Sequence, residues 1–399
     1  MNILFLTLIE IDTVEQRGLY HDLLREFRDK GHNLTIVSPL ERRRKIATRF
    51  FEKDGVSILQ VKTFNIQKTN VIEKGIGTLA IEFQYLSAIK KHLGNTKFDL
   101  VLYSTPPITF VKIIDFIKKR DLAKSYLLLK DIFPQNAVDM KMFKENGFLH
   151  NYFRKKEKKL YQISDTIGCM SKANVDFVLK HNPEVKSEKV EVNPNSIQPV
   201  NFSQTQGQKE AIRAKYNLPL DKKVLVYGGN LGIPQGVDFL IETIEKCDSK
   251  NAFFLVIGNG TQFKKLSKWF ENNKPNNALL LSGIEKSQYD NLLNACDIGL
   301  IFLNKNFTIP NFPSRLLSYL EMKMPVIAAV DKATDVGKVI EKAKCGYSVL
   351  AGDIARMNTI IEKNLQEDDL QEMGENGYKL LIENYTVNVS YDLIIDKIQ

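Results

Sequence analysis

Ile309-Pro310-Asn311-Phe312-Pro313-Ser314-Arg315-Leu316-Leu317-Ser318-Tyr319-Leu320-Glu321, then Met322-Lys323-Met324 and Pro325-Val326-Ile327-Ala328-Ala329, reads as a loop, a helix and a buried strand in succession. Pro313 suits a first helical position, where its missing N–H would be unpaired anyway. Leu316, Leu317 and Leu320 recur at helical spacing and would face a core, and the apolar run from Pro325 to Val330 reads as a strand. A helix opening on such a loop offers free N–H groups and a positive dipole end. With Ser314 and Arg315 in its first turn it forms a candidate anion site. The competing reading leaves Arg315 as a surface residue with a solvated head.

The same alternation extends in both directions. Upstream, strands are expected at Asn2–Leu8, Asn33–Val37, Val56–Val61, Leu100–Tyr103, Ser125–Leu129, Thr166–Met170 and Lys189–Val192. The clearest helix runs from about Glu15 to Lys30, with Leu19, Leu23, Leu24 and Phe27 on one face and Gly31 as its stop. The turn-rich Asn193–Asn201 and the polar Ser203–Gln208 mark a linker. Strands then resume at Val224–Tyr227, Phe253–Ile257, Ala278–Leu281, Ile298–Phe302, Val326–Ala329 and Tyr347–Leu350, and helices at about Leu365–Ile382 and Val387–Lys397 close the chain. Strand–helix alternation implies parallel sheets covered on both faces, which bind ligands beyond the carboxyl ends of their strands. The expected class is α/β, with two Rossmann-like doubly wound domains facing a central cleft. The first covers residues 1–197, the second 198–383, and a terminal helix at about 384–399 returns to the first.

Glycine turns recur where ligands would bind. Tyr227-Gly228-Gly229-Asn230-Leu231-Gly232-Ile233-Pro234-Gln235-Gly236 follows one strand, Gly258-Asn259-Gly260 the next, and Gly283 a third. Such turns bring backbone N–H groups close to a diphosphate. They do not spell G-x-G-x-x-G, so a nicotinamide or flavin site is not expected.

A chain of 399 residues with 43% hydrophobic and 26% charged residues exceeds one core and suits a globular protein of two or three domains. No apolar run is long enough to span a bilayer, no signal peptide is evident, and the four cysteines are scattered without ligand spacing. A reducing, cytoplasmic setting is expected. The net charge of +9 calls for an anionic partner; with no nucleic-acid-binding signature, a diphosphate substrate or an anionic membrane face is favoured over nucleic acid.

Taken together, these residues resemble retaining, nucleotide-sugar-dependent glycosyltransferases of the GT-B fold, in the large family four. The resemblance rests on Gly18–Val37, Val192-Asn193-Pro194-Asn195-Ser196, Gly228–Gly236, Gly258–Gly260, Gly283 and Pro313–Ala328. Lys130-Asp131-Ile132-Phe133-Pro134-Gln135-Asn136-Ala137-Val138 and Phe312–Leu316 resemble a branch building capsule or O-antigen (lipopolysaccharide) chains, including N-acetylfucosamine transferases. The resemblance implies transfer of an N-acetylated deoxysugar from a UDP-sugar to a lipid-diphosphate-linked glycan, at the inner face of the plasma membrane. Fixed donors would replace a metal, and no cofactor is implied beyond the nucleotide sugar. It implies a donor site of Gly229, Asn230, Gly232, Gln235, Gly258, Asn259, Gly260, Gly283, Ile284, Pro313, Ser314, Arg315, Leu316 and Ser318. Arg17, Gly18, His21, Ser104 and Thr105 would meet the acceptor, and Asp131 and Arg315 would act in catalysis.

The chain also departs from the family. Two glutamates that the family commonly carries fall at Pro310 and Ser318, with Glu321 nearby as a substitute. The usual phosphate-binding Arg and Lys fall at Asn230 and Gln235, and Ser104-Thr105-Pro106-Pro107 stands where a histidine is often found. Asp131 could orient the acceptor hydroxyl or act as base; the competing reading is a helix N-cap before Pro134. Glu41–Lys53 and Phe153–Leu160, basic with aromatics, are expected to touch anionic lipid. The rival functions are a non-catalytic partner subunit of the same fold and a UDP-sugar 2-epimerase, which would need acid/base groups not evident here.

Overall fold

The computed structural model describes residues 1–399 except 67, 68, 70, 203, 367–369 and 399; within the helix Val71–His92 the side chains of residues 71, 72 and 74 are also left aside. Ser203 of the expected linker, and part of the helix expected at about Leu365–Ile382, lie outside the described residues. The chain forms two compact units, Met1–Gln198 with Val387–Gln399, and Pro199–Thr386.

The first unit contains strands β1 (Asn2–Leu6), β2 (Asn33–Glu41), β3 (Arg49–Lys53), β4 (Val56–Thr63), β5 (Leu100–Ser104), β6 (Lys124–Leu129), β7 (Thr166–Cys169) and β8 (Val190–Val192), in the sheet order β3-β4-β2-β1-β5-β6-β7-β8. All pair parallel except β3 with β4. The inner strands are largely apolar and almost wholly buried, as a sheet covered on both faces requires. β2 runs past the expected end at Val37, through Pro39. Val37 bonds on its β1 side, where its carbonyl accepts from the Thr7 amide, and β1 has ended by Pro39, so the missing N–H faces no ladder partner. The helix Val387–Asp396 closes this unit. Val387 and Ile394 enter its core, Tyr391 lies against Phe27 at 4.9 Å, and the Tyr391 hydroxyl meets His32 Nε2 at 2.8 Å.

The second unit contains β9 (Lys223–Asn230), β10 (Ala252–Asn259), β11 (Ala278–Ser282), β12 (Ile298–Phe302), β13 (Val326–Val330) and β14 (Gly346–Leu350), all parallel, in the order β11-β10-β9-β12-β13-β14. Counted within the unit this is the doubly wound order 3-2-1-4-5-6. It reverses between β9 and β12, and the carboxyl ends of those two strands border the crevice where such sheets bind ligands.

Candidate active site

At the carboxyl edge of the second sheet the turns after β9, β10 and β11 pack on one another. A Cβ on Gly258 would lie 1.8 Å from the Gly229 carbonyl oxygen, one on Gly260 2.3 Å from that of Leu231, and one on Gly283 2.5 Å from Asn259 Nδ2. The first two glycines are therefore demanded by neighbouring backbone, whatever else the turns bind. Gly229, at φ +117, takes a conformation that side chains disfavour. Into this edge comes Arg315. Its guanidinium lies 4.1 Å over the Tyr227 ring, and Nη2 donates to the Asn230 carbonyl at 3.2 Å. The hydroxyl proton of Tyr319, fully buried, is shared between the carbonyls of Val226 and Leu300, 3.2 and 3.0 Å away. A Cβ on Gly228 would collide with the Tyr289 hydroxyl. Arg315 Nη1 is buried and, among the described residues, has no hydrogen-bond partner. A guanidinium nitrogen held without an acceptor is costly to leave unmade and suits an incoming anion.

Several expected donor residues are used differently. The helix is Arg315–Glu321 with Ser314 as its cap, so Pro313 lies before it and is not its first residue. The chain enters through a tight turn in which the Leu316 and Leu317 amides donate to Pro313 O and Ser314 O, both at 3.1 Å. The expected cradle of free N–H groups is thereby reduced, and the site's charge rests on the arginine side chain. Leu316 is fully buried, so its side chain belongs to the core and does not meet a donor. Gln235 Oε1 accepts from the Gly232 amide at 3.0 Å and from Asn230 Nδ2 at 3.2 Å, which occupies it within the turn. Asn259 and Gly283 meet at the β10–β11 edge, with the half-buried Ile284 following; Ser318 is half-buried on the helix. Glu321, buried, accepts from the Val200 amide at 2.8 Å and cannot stand in for a sugar-binding glutamate.

In the first unit the order reverses between β1 and β5, and a second cluster gathers near their carboxyl ends. Asp131, two residues beyond β6, accepts from Asn136 Nδ2 at both carboxylate oxygens, 2.7 Å each. Burial pushes its pKa up to about 6, against the lowering effect of those bonds. It caps no helix, since the short helix Gln135–Asp139 has Pro134 at its cap. Thr105 was expected on the acceptor. Its hydroxyl instead donates to the Asp131 carbonyl at 3.0 Å and accepts from the Lys130 and Asp131 amides at 3.1 Å, which saturates it as a brace for Asp131. Ser104 is buried and bonded to the Tyr20 hydroxyl, and Tyr20 lies close enough to Asp131 to feel its charge. Arg17 and Gly18 form the turn before the helix Leu19–Asp29, where the Gly18 amide donates to buried Asp22 at 3.1 Å. His21 sits against Gly18, and burial lowers its pKa, opposed by Asp22. Lys130, whose pKa burial lowers to about 7, donates to the Asn193 and Pro194 carbonyls at 3.4 and 3.1 Å.

Tyr227, Tyr289, Tyr319, Tyr20 and Asn136 are not singled out by the sequence. The four tyrosines are brought to their clusters by strand order, which no local motif encodes, whereas Asn136 reaches Asp131 locally, five residues along the same segment.

The arrangement places an arginine and three glycine turns at the switch point of one doubly wound unit, and a largely buried carboxyl with a raised pKa near the carboxyl ends of the strands of the other. Residues 208–380 match the family described as Glycosyl transferases group 1. Among curated proteins, the chain is 22% identical over 334 residues to the probable glycosyltransferase WbjE of Pseudomonas aeruginosa, covering 82% of this chain and 80% of that one. It is also 22% identical over 178 residues to the putative colanic acid biosynthesis glycosyl transferase WcaI of Escherichia coli (strain K12), covering 44% and 43%. Among solved structures, one described as trehalose-6-phosphate from E. coli bound with UDP-2-fluoro glucose superposes with a TM-score of 0.75 at 10% identity, over 100% of this chain and 99% of that one. The chain is a glycosyltransferase with the GT-B fold, and the segment that matches the group 1 family, residues 208–380, lies within its second unit.

Proposed function

We propose that the protein transfers a sugar, an N-acetylated deoxysugar such as N-acetylfucosamine, from a UDP-linked donor to a lipid-diphosphate-linked glycan during capsule or O-antigen synthesis, with retention at the anomeric carbon. The observation that carries this reading is Arg315, whose buried Nη1 has no hydrogen-bond partner among the described residues, at the edge where the glycine turns meet. In the reaction the bond from sugar C1 to the diphosphate breaks and a bond from C1 to the acceptor oxygen forms on the same face. The hydroxyl proton passes to the departing phosphate or to Asp131. Arg315 supplies fixed positive charge to the leaving diphosphate, an electrostatic stabilisation that is commonly the largest catalytic term. Donors Ser314, Asn259 and the turn backbone, with Gly229, Asn230, Gly232, Gly258, Gly260 and Gly283 around them, would frame the nucleotide. Asp131 would orient or deprotonate the acceptor, with Arg17, Gly18, His21 and Ser104 nearby. A polysaccharide role is supported by the name of the colanic acid relative, and a UDP donor by the UDP-sugar bound in the neighbouring structure.

The test is transfer by the purified chain from a panel of UDP-, GDP- and dTDP-sugars to a polyprenyl-diphosphate-linked N-acetylhexosamine, with the product's anomeric configuration read by NMR. Transfer from a UDP-sugar with retention is expected. An inverted product would overturn the mechanism. Donor binding without transfer or hydrolysis would favour the non-catalytic partner subunit.

A further inference from the structure

The two basic stretches read from sequence differ once folded. In Arg42–Lys53 the arginines are occupied: Arg42 pairs with Glu73 at 2.6 Å, Arg43 with Glu41, and Arg44 with Glu10 at 3.1 Å, while Arg49 bonds Gln60 at 2.8 Å and covers the Phe51 ring. The last five residues of that stretch are strand β3, paired into the sheet. The helix Phe148–Ile163 is arranged otherwise. His150, Glu157, Leu160 and Tyr161 are buried, and Phe153 stacks against Phe143 at 5.7 Å and meets Phe133 edge-on at 5.0 Å, which fixes the helix on its unit. Its outer face carries Phe148, 85% exposed, Leu149, 51% exposed, and Tyr152, followed by Lys155, Lys156 and Lys159. At 100° per residue these six fall in an arc of roughly 120°. None of the three lysines has an ion-pair partner among the described residues; Lys156 lies 5.9 Å over the Tyr152 ring.

We infer that this face is where the protein docks on an anionic bilayer, with the Phe148–Leu149–Tyr152 tip entering the headgroup region and the lysines meeting lipid phosphates. Apolar side chains at 85% and 51% exposure are removed from water only if something covers them, and unpaired cations beside them select a negatively charged apolar surface. A second copy of this chain is disfavoured as the occupant, because a twofold contact would set lysines against lysines. No described helix is long and apolar enough to cross a membrane, so attachment through this face would be peripheral. The inference concerns attachment only; it accords with the lipid-linked acceptor proposed above but is tested without it.

The experiment is co-sedimentation of the full chain with phosphatidylglycerol-containing and pure phosphatidylcholine vesicles at low and high salt. Selective binding to the anionic vesicles, weakened by salt, is expected. Lys155→Glu/Lys156→Glu/Lys159→Glu should lower partitioning at least on the order of 100-fold, since each cation near such a surface contributes about fivefold. Phe148→Ser/Leu149→Ser/Tyr152→Ser should lower it at least about tenfold. Both variants should keep the wild-type melting temperature and UDP affinity, so loss of vesicle binding is separable from loss of the donor site. Equal binding to both vesicle types, unchanged binding by either variant, or a larger loss on Arg42→Gln/Arg44→Gln would overturn the inference.

Discussion

Replacing Asn136 with Leu tests whether Asp131 is the group whose ionisation gates transfer. Asn136 Nδ2 donates to both oxygens of Asp131 at 2.7 Å, so it stabilises the ionised form against burial. With its pKa at about 6, Asp131 is roughly nine-tenths ionised at pH 7 and roughly one-tenth at pH 5. Hydrogen bonds to a charged group contribute about 1.5–3 kcal/mol, or about one to two pKa units. Asn136→Leu should therefore move the midpoint to about 7–8, lowering turnover at pH 7 by about two- to tenfold and restoring it by pH 9. The assay is kcat against pH between 4.5 and 9.5 at saturating donor, beside wild type and Asp131→Asn, which should lose the acid limb together with most activity. A wild-type profile in Asn136→Leu, or a persisting limb near pH 6 in Asp131→Asn, would refute the assignment.

Other expectations follow from the same contacts. Because the folded pKa of Asp131 is raised, its neutral form favours the native state below about pH 4, and that advantage is lost as pH rises through about 6. Asp131→Asn should remove the loss, stabilising the protein above pH 6 by about 1–2 kcal/mol in urea titrations, after discounting for partial exposure. Gly258→Ala, whose Cβ would lie 1.8 Å from the Gly229 carbonyl oxygen, should destabilise the second unit by about 2–3 kcal/mol, read as a lower melting temperature. Glu321→Ala should cost about 1–3 kcal/mol by orphaning the Val200 amide, while Glu321→Gln keeps an acceptor; both should leave donor KM unchanged, and a raised KM in the Gln variant would restore Glu321 to the sugar site.

The alternating architecture was legible because buried parallel strands are written as apolar runs, as at Val326–Val330 and Leu100–Ser104. β3 was missed because Arg49, Glu52 and Lys53 give it the look of a charge run; as an edge strand, it can keep them. Arg315 and the glycine turns could be found because proline, glycine and an oddly placed arginine are local signals. The tyrosines around Arg315 could not, since Tyr227, Tyr289 and Tyr319 look like core residues until the topology sets three segments side by side. Likewise Thr105 looked like an acceptor ligand from its position after β5, and only the path of Lys130–Asp131 past it shows its hydroxyl to be occupied.

The account rests on Arg315 holding a diphosphate, and calorimetric titration of UDP into wild type and Arg315→Ala tests that most directly. Removal of a charge-assisted bond should weaken UDP binding about 10- to 100-fold. Loss of the contacts to Tyr227 and Asn230 should lower stability by only about 1–2 kcal/mol. UDP affinity within twofold of wild type in a folded Arg315→Ala would contradict it.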